Sequence, residues 1–104
     1  MKRVIPRPQA ERDLDTALSH YAKENPTVAR DFLGEVNGAY DRIHEMPGLG
    51  SPHFSCAVKI DNLRAYSLYD FPYIIFYFER ENYIDVVRIL HSSRDVFGIL
   101  LGLK

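Results

Sequence analysis

The segment YIIFYF, residues 73–78, is apolar at six consecutive positions. A strand alternates its side chains between two faces, so a run apolar at both parities must be covered on both sides. It is far shorter than the roughly 20 residues a membrane helix needs. A central, covered strand requires neighbours, and the adjoining sequence supplies them. Residues 63–69 (LRAYSLY) and 83–90 (YIDVVRIL) are rich in aromatic and β-branched side chains. The linking DFP and RENY are hairpin-length connections. Residues 56–60 either add another short strand or lead into the first of these runs.

Upstream the period is helical. From Gln9, apolar residues fall at Ala10, Leu14, Ala17, Leu18 and Tyr21, one face of a helix, with acids in its first turns. Asn25-Pro26 breaks it, because a residue before proline avoids helical geometry. A second helix begins at Pro26 or Thr27 with the stripe Ala29, Phe32, Val36, Ala39 and Ile43, widened by Leu33 and Tyr40. MPGLGSP, residues 46–52, ends it. Before the helices, residues 2–5 alternate weakly and stop at Pro6, which predicts a short strand. After the strands, Asp95 to Leu103 is an apolar tail of one or two helical turns, started by Ser92 or Ser93 as cap. The order predicts one α+β domain over residues 1–104. It comprises an N-terminal strand, an antiparallel two-helix hairpin on a mainly antiparallel three- to four-stranded sheet, and a short C-terminal helix or tail.

Charge narrows the function classes. The chain has 104 residues and a formal net charge of −1, with acids and bases interspersed. Proteins that neutralise phosphates carry a basic excess or stripe, so a protein partner is expected rather than direct nucleic-acid binding. The charged, proline-interrupted start MKRVIPRP does not read as a signal peptide. The single cysteine, Cys56, excludes an internal disulfide and fits a cytoplasmic location.

HSSRD, residues 91–95, assembles the side chains of hydrolases. Triad members must converge in space, however, and neighbours at a strand end point in different directions. No Gly-x-Ser-x-Gly elbow accompanies them. The favoured role is structural, with His91 closing the strand, a serine capping the last turn and Asp95 helping at the helix start. His20, His44, His53 and His91 are dispersed without a His-x-x-x-His pair, so neither a metal nor another cofactor is expected. Arg64 and Arg88 lie inside apolar strands and need partners. Each is either a structural ion pair or part of a concave binding surface. Tyr66, Tyr69 and Tyr83, near strand ends, belong to the core or extend a partner-binding face.

Taken in order, these segments resemble the RelE/ParE superfamily of toxin–antitoxin toxins over nearly the whole chain. The likeness runs through PQAERDLDTALSHYAKENP, ARDFLGEVNGAYDRIHEMPGLG, NLRAYSLYDFPYIIFYF and IDVVRILHSSRD. The ordered set Asp13-Leu14, Pro47 with Gly50, Leu63-Arg64, Tyr73 to Tyr77, Arg88 to His91 and Arg94-Asp95 carries it. RelE-like members cleave messenger RNA on the ribosome with basic residues on the central strands and a C-terminal tyrosine or histidine. ParE-like members share the fold, lack that set, and poison DNA gyrase. Here Ala65, Ser67 and Ile74 stand where the nuclease branch places basic residues, and the C-terminal aromatic is Phe97. A 2′-hydroxyl attack needs a base and charge stabilisation.

The resemblance therefore implies a ParE-type toxin without catalytic residues, acting on gyrase and held in a hetero-oligomer by a cognate antitoxin. Such systems serve plasmid maintenance or stress responses. The alternatives are a ribosome-dependent ribonuclease assisted by His91 and Arg94, and a member that has lost toxicity. The partner-binding candidates are Arg64, Tyr66, Arg88, His91, Arg94, Phe97 and Leu100. The tail around Phe97 and Leu100 has a competing role, packing across the toxin's own core.

Overall fold

The computed structural model describes residues 2–103. Strand β1 (Arg3–Pro6) leads into helices α1 (Pro8–Glu24) and α2 (Pro26–Glu45), followed by one 3₁₀ turn at Pro47–Leu49 and a short helix α3 (His53–Val58). Strands β2 (Arg64–Ser67), β3 (Tyr73–Glu79) and β4 (Tyr83–His91) then form a meander, and α4 (Val96–Leu101) closes the chain. The expected α+β order is the observed one.

The helical hairpin turns on one residue. Asn25 is extended, its side chain accepts from the Thr27 N–H at 2.9 Å, and its own N–H donates to the Tyr21 carbonyl. It thus ends α1 and caps α2, while Pro26 occupies a first-turn position that needs no N–H. The predicted stripe of α2 is the buried one: Ala29, Phe32, Val36, Ala39 and Ile43.

The sheet order is β1-β4-β3-β2, with β1 parallel to β4 and the other pairs antiparallel. The first strand therefore pairs with the last, and β3 lies inside the sheet, as its two-sided apolarity requires. Its side chains divide between two cores. Ile75 and Tyr77 join Phe32, Val36 and Ile43 beneath α1 and α2, whereas Ile74, Phe76 and Phe78 join Val58, Leu63, Val96 and Leu100. The register shifts between Phe76 and Tyr77, with Arg88 and Val86 opposite them, so Val87 is an extra residue in β4. Such a bulge bends the strand.

Two local expectations are corrected. Residues 53–58 are helical, so the short strand considered for 56–60 does not form; α3 ends at Lys59, which is left-handed at φ 56°. The cap of α4 is Asp95, whose side chain accepts from the Gly98 N–H at 3.0 Å, and not Ser92 or Ser93. Ser93 instead turns back to His91.

Candidate functional site

Among the described residues a concavity of about 690 Å³ forms a groove between α1 and the C-terminal half of β4. β1 pairs with β4 only as far as Val86, so the outer edge of β4 beyond that point faces α1 instead. Asp13 on α1 covers this edge. Its Oδ2 accepts from the Ile89 N–H at 3.0 Å and from Arg88 Nε at 2.8 Å, and its Oδ1 accepts from Arg88 Nη2 at 2.9 Å and Gln9 Nε2 at 3.2 Å. A carboxylate with four donors on two oxygens has no lone pair left for a ligand. Arg88 is thus held in an ion pair with Asp13 and also lines the groove, so it has features of both roles expected for it.

The rest of the groove is cationic and aromatic. Arg12, Thr16 and His20 project from α1, Tyr73 from β3, His91 from the end of β4, and Arg94 from the turn beyond it. Arg12 donates twice to the side-chain oxygen of Gln9, the residue that also braces Asp13. Tyr73 and His91 pack edge to face with centroids 5.1 Å apart. His91 Nδ1 accepts from the Ser93 N–H at 3.0 Å and lies 2.7 Å from its hydroxyl. A backbone N–H can only donate, so that ring nitrogen carries the lone pair and Nε2 carries the proton. Burial pushes the Tyr73 phenol up, and the Arg94 guanidinium pulls it the other way.

The candidate residues separate into three places. Arg88, His91 and Arg94 meet in the groove. Arg64 and Tyr66 lie on β2 at the far edge of the sheet, where Arg64 Nη1 donates to the Gly50 carbonyl at 2.7 Å and to the Gly48 carbonyl at 3.1 Å. Arg64 therefore has neutral backbone partners instead of an ion pair. Tyr66 packs against the core beneath the helices. Phe97 and Leu100 belong to α4 on the opposite side of the sheet. Leu100 is completely buried and presents no surface, which is the core-packing role weighed for the tail, whereas Phe97 is 47% and Leu101 50% exposed.

The α1 side of the groove was not anticipated. Its signal is periodic: Gln9, Asp13, Thr16 and His20 follow steps of three and four beside the apolar stripe. That pattern by itself places them on one side of α1 and says nothing of the strand end they face. Among the described residues, no cluster of three or more His, Cys, Asp or Glu could hold a metal, and no helix is long and apolar enough to cross a membrane.

No curated protein matches the chain. A solved structure described as the chromosomal ParDE TA system from P. aeruginosa superposes with a TM-score of 0.75 at 19% identity. The match covers 89% of this chain and 98% of that one, which establishes a shared fold. A family model for the ParE toxin of type II toxin-antitoxin system, parDE, matches residues 4–96. The matched span includes the whole of the first core, the second core up to Val96, and the Asp13–Arg88 pair. This chain belongs to the ParE toxin family of type II toxin–antitoxin systems.

Proposed function

We infer that this ParE toxin acts in the cytoplasm by occupying a surface of DNA gyrase, and that a cognate antitoxin neutralises it by covering the same molecule. Family membership supports the class of activity. The carrying observation in the structure is the state of the interior polar groups. Asp13 and Arg88 satisfy each other, Tyr77 spends its hydroxyl on Pro47 and Gly50, and Asp85 is held by Arg7 and Arg80. These groups hold the fold. Apart from the buried Tyr40 hydroxyl, which has no hydrogen-bond partner among the described residues, surface is what remains to act with, and the apolar part of it includes Phe97 and Leu101 on α4, beside Phe54. Aromatic residues of this kind anchor protein interfaces. Arg64 and Tyr66 form a second partner-facing candidate on the β2 edge.

A ribonuclease reading draws on one observation, that His91 and Arg94 line the same groove. The two readings separate in one experiment. Induced expression without antitoxin should accumulate covalent gyrase–DNA breaks and leave messenger RNA intact. Phe97→Ser combined with Leu101→Ser should abolish the breaks in a protein that still folds. Codon-positioned transcript cleavage that vanishes with His91→Ala, in cells with unbroken DNA, would reject the gyrase assignment.

A further inference from the structure

We propose that the α1–β4 groove binds a small phosphate-bearing ligand, of the size and chemistry of a nucleoside monophosphate, through Arg12, Arg94 and the two histidines. The proposal goes beyond gyrase inhibition and does not depend on it.

Charge is the first support. The one carboxylate lining the groove, Asp13, has all four acceptor positions filled by protein donors. Around it stand Arg12 and Arg94, both exposed, and neither has a carboxylate within ion-pair distance among the described residues. Arg88 is already paired, so two guanidiniums face the cavity with unspent donors. Guanidinium forks match phosphate oxygens in pairs. His20, Thr16 and the Nε2–H of His91 add further donors at the same rim, and a phosphate group has enough oxygens to accept from several.

Shape and surroundings set the size of the ligand. About 690 Å³ lies within the range of small-molecule sites. The Tyr73–His91 pair offers an aromatic wall against which a base can stack. A long polyanion is disfavoured, because Glu11 and Asp15 are exposed on the neighbouring faces of α1 and the net charge is −1. The fixed tautomer of His91 pre-orients one donor without further ordering cost.

The test is an NMR titration of the full chain with adenosine 5′-monophosphate, inorganic phosphate, adenosine, a short oligoribonucleotide and a hexaglutamate peptide. The expected result is saturable binding of the monophosphate at millimolar concentration or below. Shifts should concentrate at Thr16, His20, Tyr73, His91 and Arg94, with weaker binding of inorganic phosphate and none of adenosine. Arg12→Gln and Arg94→Gln should each weaken the monophosphate about tenfold, as loss of a charge-assisted contact does. Arg94→Gln should keep the wild-type unfolding midpoint, and Arg12→Gln should lower it only slightly, since Arg12 joins no ion pair and gives up only its exposed bonds to Gln9. Arg30→Gln, on exposed α2, should change nothing. Absence of saturable shifts in the groove would overturn the proposal. So would preference for hexaglutamate, which would make the groove a dock for acidic protein segments. Affinity that climbs with oligonucleotide length would overturn the small-ligand assignment.

Discussion

Tyr77 is completely buried in the middle of β3, yet its hydroxyl is fully used. It donates to the Pro47 carbonyl at 2.7 Å and accepts from the Gly50 N–H at 2.8 Å, so the turn after α2 is fixed to the central strand. Gly50 is required there by close approach, because a Cβ would lie 2.6 Å from the Tyr77 hydroxyl. Gly50→Ala should therefore destabilise by about 2–3 kcal/mol, the scale of overpacking in a closed site. Tyr77→Phe should cost about 1–3 kcal/mol by leaving a buried N–H unpaired. If the clash is the cause, the double variant loses less than the sum of the two in urea unfolding; simple additivity would refute it. The Asp13–Arg88 pair has side chains only 7% and 17% exposed. Asp13→Asn leaves a guanidinium with little access to water, and a loss of about 3 kcal/mol is expected.

At the scale of elements, β1 joins the sheet through few residues, an exposed Lys2–Glu79 pair before it and a buried electrostatic clamp after it. Asp85 on β4 is 4% exposed and accepts from Arg7 at 3.0 and 2.9 Å and from Arg80 at 3.1 and 2.9 Å. Burial by itself would push the Asp85 carboxyl up, but the two guanidiniums outweigh it and hold the group below the usual carboxylate range. A depressed folded-state value means the clamp's contribution is complete above the ordinary aspartate range. It is lost as pH falls through the folded value. Wild type should exceed Asp85→Asn in urea midpoint at pH 6, and the gap should close below about pH 4. A gap unchanged at pH 2.5 would mean that charge has no part in it. The long elements were legible in the sequence because their periods are strong: the α2 stripe and the doubly apolar β3 both fold as their patterns require. α3 was not. It has six residues, no side-chain N-cap, and ends on left-handed Lys59 where a glycine would have marked the stop. The groove was half legible, since HSSRD stands out as a cluster. Its α1 wall is brought beside it by the parallel pairing of β1 with β4, a contact between residues about 80 positions apart that no local pattern encodes.

For the whole molecule, covering the sheet on both faces decides where partners can bind. α1 and α2 close one face, and α3 with α4 close the other through Val58, Val96 and Leu100. Removing everything after Asp95 would therefore strip Val96 and Leu100 from the second core, and the truncated chain should lose stability before any interface can be assessed. Fully burying one such side chain is worth about 1.5–3 kcal/mol, so deleting two threatens a domain of this size. Surface substitutions avoid this. Phe97 and Leu101 project outward from α4, whereas Arg12 and Arg94 line the groove beside α1, so the two surfaces share no residue. Their effects should be separable: Phe97→Ser with Leu101→Ser should abolish gyrase inhibition and leave monophosphate binding unchanged. Arg12→Gln with Arg94→Gln should do the reverse. Supercoiling assays and NMR titrations on wild type and the two double variants measure both. Should the arginine pair alone eliminate gyrase inhibition while the α4 pair has no effect, the partner surface must be moved from α4 to the groove.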